Sequence, residues 1–526
     1  MKRRVWLTLK DVLRVNAFKW PDKIGFKDKY KAYTFREFNE RACRLANALY
    51  SLGLKKGDRF ACLAYNCVEW LEIYAAAAKG GFIAVPVLFR LAPPEMEYVI
   101  NHCDAKLMFV QDSWVERVNE LKPKLPLVEN YVVFGIERNV KADGYLSYEE
   151  LISRSSPEEP DVRVTGDDTW VIMYTGGTTG RPKGVVKSHE AIYAQYYIML
   201  FDHEFRHDDT VLLVMPLCHV NSLMYSYVFT WVGGTAMAYN MVSFDPEDLL
   251  KTFQDHKITF TSLVPTHYIM ILSLPDEVKR KYDVSSIRTL LTSSAPMRRD
   301  TKLAVMEFFK NARLQEAYGS TEAGIVTILK PHEQFTKLGS IGREVIGSDI
   351  IKLFDENGNE ITEPRVVGEL YSRSPMLFDC YWKDPELTEK AFRGEYFSAG
   401  DMAYRDEEGY YFLVDRKANM IITGGENVYP SEVENVVGAH PAVKDVAVIG
   451  IPHEKWGEAV TAVCVLHEGK TATEEEIISF CKGKIAGYKV PKKVIFIKDE
   501  EMPRSAAGKI LHRLLRERFG KWSDHL

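Results

Sequence analysis

The chain has 526 residues, 46% of them hydrophobic and 27% charged, which implies more than one globular domain around a large core. Its 68 Lys and Arg stand against 73 Asp and Glu, a net charge of −5. That excludes a nucleic-acid-binding face dominated by basic residues, so any anionic ligand has to be held by local charge. Eight scattered cysteines, with no Cys-x-x-Cys pair and no His at metal spacing, read as reduced thiols of a cytoplasmic protein rather than as a disulfide framework or a zinc site.

Met1-Lys-Arg-Arg opens like a signal peptide, but Lys10, Asp11 and Arg14 interrupt what should be its apolar core. Thr34 and Glu37 stand at capping-box spacing. Phe38, Ala42, Leu45 and Leu49 then share one face of a helix that Gly53 ends. Arg59–Ala64 reads as a strand, Val68–Ala78 as a helix and Phe82–Leu88 as a buried strand. The longest apolar stretch, Tyr74–Leu88, carries Lys79 and two glycines and is too short for an integral membrane segment. Strands and helices alternate to about residue 340, which predicts an α/β fold of parallel-rich sheets.

From about 340 to 415 the pattern changes to short strands with turns at Glu356–Gly358 and Glu408-Gly409, predicting a compact β-rich subdomain. After Asp415-Arg416, strands at Asp445–Ile451 and Ala459–Leu466 alternate with helices at Pro430–Gly438 and Thr473–Ala486. That is a small α+β domain, so the chain divides into 1–415 and 416–526.

Within the first part, Tyr174-Thr-Gly-Gly-Thr-Thr-Gly-Arg-Pro-Lys-Gly184 follows the apolar strand Trp170–Met173. Its glycines let backbone amides approach an anion, and its threonines and Lys183 add donors and charge, a pattern suited to a polyphosphate. It is not a Walker loop. Lys183 is followed by Gly184, Val185 and Val186 rather than by Ser or Thr opening a helix, and the next helix starts only at its cap, Ser188, and runs to Leu200.

Five more stretches follow: Pro216-Leu-Cys-His219-Val-Asn-Ser222, Thr292-Ser-Ser-Ala-Pro296, Tyr318-Gly-Ser-Thr-Glu322-Ala-Gly324, Ser398-Ala-Gly-Asp401 with Val414-Asp-Arg416, and Pro503-Arg-Ser-Ala-Ala-Gly-Lys509. Singly each is weak. In this order they resemble the adenylate-forming superfamily of acyl- and aryl-CoA synthetases, luciferases and peptide-synthetase adenylation domains, from about residue 10 to about 515.

The resemblance implies a carboxylic acid, ATP, Mg²⁺ and coenzyme A as ligands, with an acyl-AMP made first and its acyl group passed to CoA. It implies that Thr175, Gly176, Gly177, Thr178, Thr179, Gly180 and Lys183 hold the β- and γ-phosphates. Tyr318 and Gly319 would lie on adenine, opposite Ser294-Ala295-Pro296. Thr321 would bond the α-phosphate, Glu322 would hold the metal, and Asp401 would bind the ribose with help from Arg416. Lys509, on a mobile C-terminal domain, would bridge the attacking carboxylate and the α-phosphate, and His219 completes the catalytic set with Thr321 and Glu322. Such positioning and charge stabilisation dominate phosphoryl-type transfer. For the second half-reaction the terminal domain would turn about a hinge at Lys417 and Ala418 and present Gly424, Gly425 and Glu426 to the pantetheine arm. Ala418 departs from the family, where Lys or Asp is usual.

The acyl pocket implied by the resemblance comprises His219, Asn221, Ser222, Tyr227, Val264, Ser293, Gly324, Ile325 and Val326. Acetate-specific members carry Trp where this chain has Gly319, and amino-acid-activating members carry Asp where it has Val220. The expected substrate is therefore a medium, branched, alicyclic or aromatic acid. Two other readings stand beside it: an enzyme that loads a carrier protein, and a non-catalytic homologue that binds acyl groups or nucleotide. Lys509 also invites control by acetylation. The expected state is a cytoplasmic monomer or homodimer.

Overall fold

The computed structural model describes residues 8–520 except 138–139, 176–181, 294–296, 424–425, 454–455 and 505–507, and for 415, 416, 418 and 427 the main chain alone. Contacts divide the chain into two compact units. The first runs to Ile350 and takes in Ser372–Phe397; the second comprises Ile351–Tyr371 and everything from Ser398.

The first unit holds two large sheets. One has eight strands in the order Cys380–Tyr381, Lys183–Ser188, Thr169–Thr175, Ile83–Pro86, Arg59–Leu63, Ala105–Gln111, Asn130–Phe134 and Leu146–Ser147. It is parallel from Thr169–Thr175 onward and antiparallel at the edge formed by its first two strands. The other has nine strands, with a parallel centre that includes Phe260–Leu263, Thr289–Thr292 and Arg313–Ser320, followed antiparallel by Gly324–Leu329. These are the expected parallel-rich α/β layers.

Local signals explain the elements. The Thr34 hydroxyl accepts from the Glu37 amide at 3.2 Å, and the Glu37 carboxylate returns the bond to the Thr34 amide at 2.8 Å, opening the helix Phe35–Ser51. Phe38, Ala42, Leu45 and Leu49 are wholly buried along it. The helix Val68–Gly80 is buried on every side, as an all-round apolar helix must be. Its charged members are paired, Lys79 with Glu159 at 2.6 Å and Glu72 with Arg41. Among the described residues no helix is long and apolar enough to cross a membrane, and all eight cysteines are free thiols.

The second unit has a five-stranded antiparallel sheet of Glu360–Ile361, Lys352–Phe354, Gly368–Tyr371, Asp401–Arg405 and Tyr411–Arg416. A second sheet is built on the long pair Val443–His453 and Gly457–Leu466. Gly358 (φ +87°) and Gly409 (φ +84°) sit in the two predicted turns.

Three details differ from expectation. The 340–415 block is not one piece, because 372–397 leaves it and joins the first unit, where Cys380–Tyr381 pairs with Val185 and Val186. The helix expected over Thr473–Ala486 covers only Glu474–Cys481, since Gly483 at φ +76° takes a conformation no helix allows. The helix capped by Ser188 runs past Leu200 to His203.

Candidate functional site

Strands Thr169–Thr175 and Lys183–Ser188 form an antiparallel hairpin in which Thr175 opposes Lys183 and Tyr174 opposes Gly184. Of the expected phosphate-holding residues, Gly176, Gly177, Thr178, Thr179 and Gly180 lie outside the described residues, whereas Thr175 and Lys183 are the two posts of the hairpin. Among the described residues the Thr175 hydroxyl is buried without a hydrogen-bond partner, an orphaned donor at the end of its strand. Gly184 has a packing reason. A Cβ there would lie 2.9 Å from Ile172 Cγ2 and 3.1 Å from both Trp382 Cβ and the Tyr174 ring.

Lys183 turns its ammonium toward Glu322, 3.0 Å from Oε1. Tyr381 closes a triangle: Lys183 Nζ donates to its hydroxyl at 2.6 Å, and that hydroxyl donates to Glu322 Oε1 at 2.8 Å. Glu322 is buried, and burial on its own would raise its pKa. The charge of Lys183 and the hydrogen bonds from Lys183 and Tyr381 outweigh that, so the carboxyl is held below its ordinary range. An ionised carboxylate is a hard oxygen ligand. Magnesium is usually bound by one or two carboxylates together with substrate phosphates, so Glu322 fits it as the protein ligand. Among the described residues no cluster of three or more His, Cys, Asp or Glu could hold a metal without such phosphates.

The Glu322 main chain is gripped as well. Its carbonyl accepts from the Phe378 amide at 2.7 Å and from Lys187 Nζ at 3.0 Å, and Lys187 also donates to the Met376 carbonyl at 2.6 Å. Lys187 is buried, which lowers its pKa to about 8. Asp379, next to it in the same layer, bonds Ser188, and burial raises its pKa. Sequence reasoning missed Tyr381, Lys187 and Asp379. The available signal was the even spacing of Lys183 and Lys187, which puts both on one face of a strand.

The Tyr318–Gly324 segment turns between paired strands, with a register shift at Tyr318/Gly319 and Gly324 at φ +73°. Tyr318 is half-buried and Thr321 buried. A Cβ on Gly319 would lie 2.1 Å from the Gly324 carbonyl oxygen, so this backbone path alone excludes a side chain there. The missing Trp therefore has a cause besides pocket size.

His219 caps the helix Val220–Ser226, its Nδ1 accepting from the Asn221 amide at 3.3 Å. Asn221 Nδ2 donates to Ser293 Oγ at 2.8 Å, which brings these two expected pocket residues together, and among the described residues Asn221 Oδ1 is buried without a partner. Val264 is half-buried, and Gly324, Ile325 and Val326 are buried. Two expected pocket residues are differently engaged. The Ser222 hydroxyl donates to the Met215 carbonyl, and wholly buried Tyr227 donates to the Leu71 carbonyl while packing on Phe26 and Trp170. Both hydroxyls are consumed by the core. Ser294, Ala295 and Pro296 lie outside the described residues.

In the second unit, Asp401 is buried and directly opposes Arg416 across adjacent strands. The Arg416 and Ala418 side chains lie outside the described residues, as do Gly424 and Gly425. Lys417 begins a short 3-10 turn; its amide donates to the Gly400 carbonyl and its ammonium pairs with Glu369 at 2.9 Å. Glu426 is exposed opposite Thr423. Lys509 is exposed, within a loop closed by a bridge between Arg504 and Ile510, and follows Gly508 at φ +80°.

The family description "AMP-binding enzyme" matches residues 13–382, and "AMP-binding enzyme C-terminal domain" matches 432–509. The chain belongs to this family. It is 34% identical to the long-chain-fatty-acid–CoA ligase FadD13 of Mycobacterium tuberculosis, over 92% of this chain and 93% of that one. It is 33% identical to the indoleacetate–CoA ligase of Aromatoleum aromaticum, over 93% of this chain and 94% of that one. Among solved structures, ATP-bound MatB from Rhodopseudomonas palustris superposes with a TM-score of 0.86 at 29% identity, covering 98% of this chain and 100% of the other. As an AMP-binding enzyme of this kind, the protein is an acid–thiol ligase. It uses ATP to convert a carboxylic acid to an acyl-AMP and transfers the acyl group to coenzyme A.

Proposed function

We propose that the acid is larger than acetate or propionate: a medium-chain, branched, alicyclic or aromatic acid. The observation that carries this reading is the Asn221–Ser293 contact at 2.8 Å, a polar corner within an expected pocket set that also includes the apolar Val264, Ile325 and Val326. A mixed lining suits an acid with bulk and shape better than a two-carbon one. Relatives named for a long-chain fatty acid and for indoleacetate support it.

The roles follow from the same reading. Thr175 and Lys183 hold the outer phosphates, and Tyr318 and Gly319 take adenine. Thr321 bonds the α-phosphate, Glu322 holds magnesium, and Asp401 with Arg416 takes the ribose. His219 borders the reacting carboxylate. Lys509 bridges that carboxylate and the α-phosphate, and a turn at Lys417 and Ala418, between regions 1–415 and 416–526, exchanges it for Gly424, Gly425 and Glu426 when CoA reacts. Magnesium, when bound, offsets charge on the leaving pyrophosphate; this chain's part is to place the acid and the α-phosphate in line. Eight free thiols suit a cytoplasmic setting.

The test is pyrophosphate release over short, medium, branched, alicyclic and aromatic acids, with and without CoA. Turnover of a larger acid at a kcat/KM well above that of acetate is expected; acetate as the preferred acid would overturn the reading.

A further inference from the structure

Among the described residues of the first unit four lysines are buried: Lys31, Lys79, Lys187 and Lys302. Three of them pair with a carboxylate, Lys31 with Glu69, Lys79 with Glu159 and Lys302 with Glu316. That is the usual way to bury an ammonium, because an unpaired charge in a low-dielectric interior is costly. Lys187 is the exception. Among the described residues no carboxylate lies within ion-pairing distance of it, and both of its hydrogen bonds go to main-chain carbonyls, those of Glu322 and Met376. Hydrogen bonds from a charged donor are the strong ones, and here they fix two backbone segments rather than a side chain.

Those segments are the ones around the Glu322 carboxylate. Met376 lies between Ser374 and Phe378, and Phe378 donates its amide to the same Glu322 carbonyl at 2.7 Å. A Cβ on Gly324, two residues past Glu322, would come within 2.9 Å of Met376 Cβ, so the turn and the 376–378 segment are in close contact. Lys187 ties both to the strand that begins at Lys183.

We infer that Lys187 is the positioning residue for Glu322. It holds the Glu322 backbone in place while the carboxylate exchanges Lys183 for magnesium-bound nucleotide. This rests on the reading of Glu322 as the magnesium-holding residue. A polyphosphate bound at Lys183 would compete for its ammonium, and the Glu322 carboxylate would then keep Tyr381 as its partner while it held the metal. The grip of Lys187 is on the main-chain carbonyls of Glu322 and Met376 and leaves the carboxylate itself untouched.

The test compares wild-type protein with Lys187→Met, Lys187→Gln, Lys187→Arg and Glu322→Gln. ATP binding is measured by titration calorimetry with and without magnesium, alongside steady-state KM for ATP, KM for the acid, and kcat. Lys187→Met is expected to weaken magnesium-dependent ATP binding about tenfold while metal-free ATP binding and KM for the acid change less than about twofold. Lys187→Arg, which keeps charge and two donors, restores most of the loss, and Lys187→Gln falls between. Should Lys187→Met not fold, the Gln and Arg variants decide the outcome. The inference is overturned if the folded variants bind magnesium-ATP as wild type does, or if they weaken metal-free and metal-dependent binding equally. Glu322→Gln separates the layers: if it leaves magnesium-dependent binding intact, the role given to Glu322 fails, whereas if it abolishes that binding and Lys187 variants do not alter it, the positioning inference alone fails.

Discussion

The Tyr381 hydroxyl bridges Lys183 and Glu322, 2.6 Å from the ammonium and 2.8 Å from the carboxylate, and joins residues that are far apart in the chain. It accepts from one and donates to the other, so it satisfies both charges of the pair. Tyr381→Phe removes both bonds and keeps the ring over which the Lys183 ammonium lies, 4.2 Å from its centroid. A hydrogen bond to a charged group contributes about 1.5–3 kcal/mol. The expected result is a rise of about tenfold in KM for ATP with KM for the acid unchanged, read by pyrophosphate release. An unaltered KM for ATP would remove Tyr381 from the site.

Lys509→Ala separates the two half-reactions. On the role proposed for its ammonium, adenylation in single turnover is expected to fall by at least about 100-fold, because a positioned charge at the reacting atoms is among the larger catalytic contributions. Thioester formation from supplied acyl-AMP persists. Equal loss of both half-reactions would assign Lys509 to something other than the first step.

His189 is buried against Trp170, and burial pushes its pKa down to about 4, so it is neutral in the folded chain. Its unfolded value is near 6.5, so between these limits the unfolded state binds the extra proton. Stability from this group is full above about pH 6.5 and is lost as pH falls toward 4, by up to about 3 kcal/mol. His189→Phe has no such proton to take up. Its melting temperature between pH 7.5 and about 4.5 should fall less steeply than that of the wild type, by about one proton's worth in the linkage slope. Parallel curves for the two proteins would refute it.

The capping box at Thr34 gives a stability test remote from the chemistry. Thr34→Ala leaves the Glu37 amide without its acceptor and should destabilise the first unit by about 1 kcal/mol in denaturant melts, with steady-state constants unchanged.

What the sequence disclosed was chiefly local. The Thr34 cap, the apolar face of Phe38, Ala42, Leu45 and Leu49, and the turn glycines 358 and 409 each depend on neighbours within a few residues, and each is where pattern alone placed it. That the Gly/Thr stretch is not a strand–helix loop of the Walker kind was legible, because Gly184, Val185 and Val186 follow Lys183 where a helix would have to open; the hairpin itself came from the structure. Long-range pairing was not legible. Nothing near Tyr381 announces that it meets Lys183, 198 residues earlier. A buried lysine that bonds two carbonyls has no sequence signature, and neither does a hydroxyl such as that of Ser222 or Tyr227 turned onto a carbonyl of the core. The overlong Thr473–Ala486 helix failed differently: Gly483 was a visible stop signal that outweighed the helical periodicity around it.

The strand Lys183–Ser188 acquires its outer neighbour, Cys380–Tyr381, only from a segment that returns to the first unit after the chain has visited the second. During synthesis at about 5–20 residues per second, the hairpin therefore emerges roughly 10–40 s before the piece that covers it. Over that interval its outer edge offers a row of unpaired amides and carbonyls to any passing chain. Lysine on an edge strand discourages such pairing. The strand carries two, at 183 and 187, on the face where Glu322 will later sit, so the charges that hold Glu322 in the finished fold also guard the nascent edge until residue 380 arrives.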